Sequence, residues 1–137
     1  MGYRSDVSIT CNKAALKELF KRLKKEKINA DFFDIGTVNG YEDQYILNVD
    51  SVKWYSGFPV VDLFEKWRSD CMPDDEELSG DQFHGFIHFI RIGEDYDDIE
   101  DDTDGEWQED DLYVQRYIDR PDYEYVNIIY PASYKPG

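Results

Sequence analysis

Residues 83–92 read FHGFIHFIRI, a stretch in which Phe and Ile fill most positions. A mostly apolar stretch of this length is typical of a central strand. Polar, acidic sequence precedes this stretch at 74–81 and follows it from 94 onward, so both ends are well marked. We therefore predict a central β-strand at 83–92.

The N-terminal part predicts a strand followed by a helix. Residues 5–11 alternate polar and apolar side chains, which favours a half-buried strand. Asn12 is a suitable N-cap for a helix from 13 to about 27. One side of this helix is apolar (Ala15, Leu16, Leu19, Phe20, Leu23) and the other is basic (Lys17, Lys21, Arg22, Lys24, Lys25, Lys27).

Two further elements lie between this helix and the central strand. Residues 31–38 and 41–54 flank Asn39-Gly40, a strong hairpin signal because both positions tolerate positive φ. Phe58-Pro59 precedes a second amphipathic helix, predicted at about 60–68.

The C-terminal part predicts two more strands, 112–118 and 123–130, joined by a turn at 119–122, and an irregular tail at 131–137. The expected fold class is α+β, with an antiparallel sheet of about five to six strands and two helices on one face. The order is a ferredoxin-like βαββαβ unit followed by a C-terminal hairpin. We expect residues 1–137 to form a single domain.

The composition narrows the class of function. Fifteen basic and thirty-one acidic residues give a net charge of −16, which disfavours direct nucleic-acid binding and favours basic protein surfaces. Residues 1–68 hold eleven basic and ten acidic side chains, so four basic and twenty-one acidic ones remain for 69–137. No apolar run is long enough for a membrane span, and the two cysteines, Cys11 and Cys71, fit unpaired thiols in a reducing cytoplasm.

The acidic segment, predicted as a loop at about 94–111, is the strongest candidate for a functional site. It permits three interpretations: a solvated charged loop, a partner-binding surface and a calcium site. Exposed aromatic side chains among the acids favour a binding surface, since they supply anchoring area. The candidate partner-binding residues are Glu94, Asp95, Tyr96, Asp97, Asp98, Asp101, Asp102, Asp104 and Trp107.

The calcium hypothesis depends on spacing. Glu100, Asp102, Asp104 and Asp111, with Gly105 at the sixth place, approximate the twelve-residue loop whose alternate oxygens surround the ion. The match is imperfect, because the first position is Glu, the last is Asp and the flanks are predicted strands. Apart from this weak possibility of calcium, no cofactor is expected.

Two histidines and one arginine form a further candidate. His84 and His88 lie four residues apart, an even spacing that places both on one face of a strand, and together with Arg91 they could bind an anionic ligand. No carboxylate or cysteine follows at a customary zinc spacing, and two histidines on a polar sheet face need no metal. The sequence contains no phosphate loop or nucleophile motif, so we predict no enzymatic activity and no catalytic residues.

Three segments carry a resemblance. The sequences MGYRSDV at 1–7, VKWY with FP at 52–59, and FIRIGEDYDDIE at 89–100 resemble small, uncharacterised acidic proteins encoded by bacteriophages and prophages. The resemblance covers roughly residues 1–100, and it implies a setting rather than an activity or a set of catalytic residues.

In that setting, the expected function is counter-defence. The resemblance implies an acidic inhibitor in the host cytoplasm that mimics DNA and occupies the basic surface of a host nucleic-acid-binding protein, such as restriction or CRISPR machinery. Two alternatives stay open: a small-molecule or calcium-binding domain, and a virion assembly protein that forms a homo-oligomer, of which a homodimer is one form.

Overall fold

The computed structural model describes residues 2–114 and 117–125. Within them the chain forms two helices and ten strands, several of which are very short. In chain order these are β1 (Ser5–Cys11), α1 (Lys13–Glu26), β2 (Asp34–Val38), β3 (Tyr45–Val52), α2 (Pro59–Ser69), β4 (Cys71–Met72), β5 (Phe83–His84), β6 (Phe86–Ile92), β7 (Ile99–Gly105), β8 (Tyr113–Val114), β9 (Ile118–Asp119) and β10 (Tyr123–Tyr125).

The main sheet has six strands in the order β10-β2-β3-β1-β6-β7, and every neighbouring pair is antiparallel. This confirms the expected α+β class, the antiparallel sheet and the two helices. Strand β6 lies between β1 and β7, and its first six residues are all buried. The apolar stretch at 83–92 therefore contains an inner strand, as its composition predicts.

Helix α1 forms where the sequence predicts it. The Asn12 side chain accepts a hydrogen bond from the Ala15 amide at 3.1 Å, which satisfies a donor that the first helical turn leaves unpaired. The helix is capped by Lys27, whose left-handed backbone (φ 56°) turns the chain so that the Ile28 amide donates to the Leu23 carbonyl oxygen at 3.0 Å. Pro59 starts α2, a position where its missing N–H costs nothing.

Both helices pack on one face of the sheet, hereafter the helix face. Alternation along β1 and β6 turns Val7, Ile9, Ile87 and Phe89 toward the helices, where Trp67 donates a hydrogen bond from its indole to the Ala15 carbonyl oxygen at 2.8 Å. The opposite face has a smaller apolar cluster around Val38, Ile46, Ile90 and Leu112. Leu112, Val114 and Ile118 thus supply apolar side chains to this second face, which helps explain why β6 is buried on both sides.

The central stretch is not one continuous strand. At Gly85 the chain breaks into β5, which pairs with β4 in parallel, and β6, which joins the main sheet. A Cβ at Gly85 would lie 3.2 Å from Ala15 Cβ, so this position packs closely against α1. The predicted hairpin is formed by β2 and β3, but residues 39–44 connect them, which is longer than a two-residue turn.

The expectation of a loop throughout residues 94–111 is wrong. Residues Ile99–Gly105 form β7, which pairs with β6 in unbroken register from Ile92↔Ile99 to Phe86↔Gly105. Asp is depleted in strands, so the local sequence of residues 99–105 does not predict a strand. Its carboxylates are accommodated because cations from α2 and β6 lie beside them.

The predicted C-terminal hairpin is also wrong for the residues that the structure describes. Strand β8 pairs with β9, and β10 pairs with the free edge of β2 instead of a neighbour in sequence. The Asn39 amide donates to the Asp122 carbonyl oxygen at 2.9 Å, which ties the start of β10 to the end of β2. The second predicted strand continues to 130 and the tail covers 131–137, and these parts lie outside the described residues.

Candidate partner-binding surface

The acidic segment 94–111 consists of a turn, the edge strand β7 and a following extended stretch. It contains twelve acidic and no basic residues. The turn joins β6 to β7, so its position is fixed by the sheet: Gly93 N donates to the Asp98 carbonyl oxygen at 2.8 Å. Glu94, Asp95, Tyr96 and Asp97 are exposed there, and Tyr96 keeps 78% of its surface accessible.

Arg91 holds the start of β7 on the helix face. Its guanidinium donates to Asp98 at 2.6 Å, to Glu100 at 2.8 Å and to Ser5 Oγ at 3.0 Å. Tyr3 completes the cluster by donating its hydroxyl to Asp98 at 2.7 Å. The hydrogen bonds from Arg91 and Tyr3 lower the pKa of Asp98 below its usual range, so this carboxylate stays ionised.

Arg68 holds the second half of β7 on the helix face. This buried residue of α2 donates to Asp102 at 3.2 Å and to Asp104 at 3.3 Å, and it also contacts Glu65. Its guanidinium carbon lies 4.0 Å from the centre of the Phe89 ring, a cation–π distance. Burial raises the pKa of Asp104 and outweighs the opposing effect of Arg68.

On the opposite face of the sheet, His88 joins β7 to the stretch after it. Nε2 lies 2.6 Å from Asp101, and Nδ1 lies 2.8 Å from Asp110, which also accepts a hydrogen bond from Thr10 at 2.7 Å. Both imidazole nitrogens donate at once only in the protonated ring. Burial opposes the charge on His88, but the two carboxylates prevail and raise its pKa. Burial likewise opposes the charge on Asp110, whose pKa is nevertheless lowered by His88 and Thr10.

The charges divide into two groups. Three cations contact six carboxylates of the segment, so a protonated His88 with Arg68 and Arg91 leaves twelve minus three, a net −9. The other six acidic side chains take part in none of the ion pairs formed by the described residues. They are Glu94, Asp95 and Asp97 before β7, and Glu106, Glu109 and Asp111 after it.

The structure therefore divides the predicted partner-binding residues into an exposed group and a group that faces cations. Glu94, Asp95, Tyr96, Asp97 and Trp107 are exposed, and Trp107 keeps 71% of its surface accessible. Asp98, Asp101, Asp102 and Asp104 face the cations described above. The sequence analysis did not identify Arg68, Thr10 or Asp110 as part of the site. The one signal in the sequence was Arg68 itself, an arginine among the apolar positions of a predicted helix.

The geometry expected for calcium is not formed. Glu100, Asp102 and Asp104 lie along an extended strand beside Arg68 and Arg91, so they do not wrap around a point as a calcium loop requires. Asp111 lies elsewhere and contacts Tyr41, whose pKa is raised by burial and by this carboxylate. Within residues 2–114 and 117–125, no group of three or more His, Cys, Asp or Glu side chains is placed to hold a metal ion.

The predicted anion-binding set is not brought together. His88 lies on the face opposite the helices, Arg91 lies on the helix face, and His84 is in β5, where Nδ1 contacts the Pro73 carbonyl oxygen at 3.0 Å. The two cysteines are unpaired and buried, and burial raises the pKa of Cys71 to about 12. Such thiols are poor nucleophiles at neutral pH.

A cleft of about 470 Å³ lies between α1 and α2. Lys21, Lys25 and Lys66 border it, with Leu63 and Ile28 among its apolar residues. Arg22 crosses one side, where it donates to Asp70 at 2.7 Å and to the Asp81 carbonyl oxygen at 2.6 Å. The cleft is therefore separate from the acidic segment and of mixed charge.

No protein-family model matches this chain, and neither a curated protein nor a solved structure matches it. The likeness to phage-encoded proteins therefore stays a prediction. Neither helix in the described part of the chain is long and apolar enough to cross a membrane.

Proposed function

We propose that this chain is a non-enzymatic binding protein that occupies the basic surface of a nucleic-acid-binding protein, as an acidic mimic of DNA. The observation that carries the proposal is the excess of negative charge on the segment that contains the edge strand β7. Six of its carboxylates form no ion pair with any described residue: three lie in the turn before β7, Glu106 directly follows the strand, and Glu109 and Asp111 lie near Gln44 and Tyr41.

The arrangement is suited to a target that binds phosphates. Seven residues of a β-strand span about 20 Å, so the carboxylates of the turn before β7 and Glu106 after it are held at a nearly constant separation. That distance corresponds to about six phosphates of one DNA strand, at 3.4 Å each. A fixed spacing needs no ordering on binding, which favours affinity. In the setting that the resemblance implies, the target is a host protein and the site of action is the host cytoplasm.

The test is a comparison of two variants with equal charge changes. The variant Asp95→Asn, Asp97→Asn, Glu109→Gln removes three unpaired carboxylates of the segment. The control Asp75→Asn, Glu76→Gln, Glu77→Gln removes three exposed carboxylates from the loop between β4 and β5. Each protein is immobilised, incubated with bacterial lysate and washed with rising salt or competing duplex DNA, and the retained proteins are identified by mass spectrometry.

The expected result is a nucleic-acid-binding protein that the wild type and the control retain and that DNA displaces. The variant at 95, 97 and 109 should release it at lower salt, because fewer charges attract it. Equal retention by both variants, or retention that DNA does not affect, would contradict the mimic function.

A homo-oligomer is a second candidate function, as in an assembly protein. It is favoured by the exposed tyrosines Tyr113, Tyr117 and Tyr125, each of which keeps more than half of its surface accessible. Light scattering distinguishes the two: the mimic is expected as a monomer, whereas an assembly protein gives a multiple of 16.2 kDa.

We also infer a ferredoxin-like order for the core of the fold. It is supported by the neighbours β2-β3-β1-β6, with α1 connecting β1 to β2 and α2 following β3. An experimental structure would test the assignment, because it would show whether this strand order is present.

A further inference from the structure

We propose that the outer edge of β7 binds an extended, lysine- or arginine-rich segment of the partner as an additional strand. This inference rests on the proposed function, because it specifies how the basic partner contacts the same acidic segment. Recognition then combines backbone hydrogen bonds with charge, which is the mode known as β-strand addition.

The backbone of β7 leaves alternate groups free. At the two ends of the β6–β7 ladder, Gly93 N donates to the Asp98 carbonyl oxygen and Glu106 N donates to the Gly85 carbonyl oxygen, both at 2.8 Å. Hydrogen-bonded pairs alternate along an antiparallel ladder, so Glu100, Asp102 and Asp104 are the residues that pair with β6. The N–H and C=O groups of Asp101 and Thr103 therefore point outward.

The outer side of β7 is accessible. No other strand in residues 2–114 and 117–125 pairs with it, and Asp101, Asp102 and Thr103 are all exposed. Native edge strands are usually protected by proline, by a bulge, by a cover or by charge. Strand β7 contains no proline and its register with β6 is unbroken, so charge is the protection that the sequence provides.

That charge decides the occupant. A second copy of β7 at this edge would place carboxylates opposite carboxylates, which is destabilising, so the strand is protected against pairing with itself. A strand with lysine or arginine at alternate positions meets the opposite condition, because its cations share one face and lie beside Asp101 or beside Asp102, depending on the register. Glu94, Asp95 and Asp97 before β7 and Glu106 after it are exposed and extend this attraction beyond the strand.

Two peptides of equal charge test the proposal on the unaltered protein. The probes are fluorescein-labelled (Lys-Thr)₄ and (Lys-Pro)₄, of which the second has few backbone donors and cannot pair as a strand. Fluorescence anisotropy at about 50 mM salt should show (Lys-Thr)₄ binding about tenfold more tightly, the effect expected of one or two backbone hydrogen bonds.

The matched variants are Thr103→Pro and Thr103→Ala. Proline removes an outward N–H that the ladder with β6 does not use, whereas alanine keeps it. Thr103→Pro should therefore bind (Lys-Thr)₄ no more tightly than (Lys-Pro)₄, and Thr103→Ala should bind like the wild type. Circular dichroism and the melting temperature establish that each variant is folded.

Equal affinity of the wild type for the two peptides, or no binding of either, would overturn the edge-strand proposal. Both results are obtained with the wild-type protein alone. The charge-based function would survive equal affinities, since the carboxylate variants at 95, 97 and 109 test it separately. Conversely, a clear preference for (Lys-Thr)₄ would stand even if lysate capture failed to yield a nucleic-acid-binding protein.

Discussion

Arg68 is the residue that contributes most to holding the acidic strand β7 against helix α2. It is 7% exposed, and it contacts Asp102, Asp104 and Glu65 while its guanidinium stacks on Phe89. A carboxylate that loses such a partner keeps its desolvation cost without the compensating attraction. Arg68 therefore lets α2 hold β7 in place, although the strand's own sequence disfavours β-structure.

Replacing Arg68 with Met tests this role. Met keeps an apolar stem against Phe89 but removes the charge, so we expect the free energy of unfolding to fall by about 2 kcal/mol, a value reduced because the carboxylates are partly exposed. Lys66→Met is the control, since Lys66 is 62% exposed and its pair with Asp70 should contribute less than about 0.5 kcal/mol. Urea denaturation of both variants measures the difference, and equal losses would argue against a special role for Arg68.

His88 gives the fold a pH dependence whose sign can be stated. Its folded-state pKa is raised above the ordinary value of 6.5 by Asp110 and Asp101, which outweigh burial. The stability it contributes is therefore fully present below about pH 6.5 and is lost as pH rises through the folded pKa. Asp110 behaves in the opposite sense, because its lowered pKa makes its contribution disappear in acid.

The variant His88→Gln isolates this contribution. The difference in unfolding free energy between wild type and variant should be largest near pH 6 and should shrink at alkaline pH. His84→Gln is the control for the loss of an imidazole, because His84 contacts a backbone carbonyl oxygen. Urea denaturation at several pH values supplies the data, and an NMR titration of the His88 ring checks the direction directly. A difference that grows with pH would contradict the assignment.

At the scale of elements, the sequence predicts those segments whose pattern has a regular period. Strand β1, helix α1 and helix α2 form close to the predicted bounds, because alternating or helical apolar spacing determines which face is buried. The continuous apolar stretch predicts the inner strand β6, but not the break at Gly85 that separates β5 from it. Strand β7 has no such pattern. It forms because β6 offers an edge and because Arg68 and Arg91 neutralise one face, which are tertiary effects that a local pattern does not contain.

The same distinction applies to the candidate site. The sequence identifies the acidic segment and its exposed aromatics, Tyr96 and Trp107, because both are features of composition. It does not identify which carboxylates are paired, since that depends on the register of β7 against β6 and on a contact between α2 and a strand more than thirty residues away. Asp110 was missed for the same reason, because its partner His88 lies on another strand.

The alternation proposed for β7 has a direct consequence for amide hydrogen exchange. The amides of Asp102 and Asp104 pair with β6 and should exchange slowly, whereas those of Asp101 and Thr103 point outward and should exchange at least about tenfold faster. Exchange followed by NMR at neutral pH measures each amide, and adding (Lys-Thr)₄ should slow the outward pair selectively. Equal protection of all four amides without peptide would show that the outer edge is already covered.

At the scale of the whole molecule, charge is distributed unevenly over the fold. Helix α1 carries lysines on its solvent side, whereas the acidic segment 94–111 keeps a net charge of −9 after its ion pairs with Arg68, Arg91 and a protonated His88 are counted. The total of −16 means that repulsion between like charges exceeds attraction over the surface as a whole. The proposed function depends on this excess of negative charge, and the same repulsion lowers the stability of the fold.

Salt should therefore stabilise the protein. Sodium chloride screens exposed charges over about 10 Å at 0.1 M and less at higher concentration, but it screens buried pairs such as those of Arg68 and Arg91 much less. We expect the melting temperature to rise by a few degrees between 20 and 500 mM salt. The control variant Asp75→Asn, Glu76→Gln, Glu77→Gln should melt higher than the wild type at low salt and rise less with salt, because it has lost three repelling charges. A melting temperature that fell with salt would mean that exposed ion pairs outweigh the net repulsion, and the acidic edge would then hold little uncompensated charge for a basic partner.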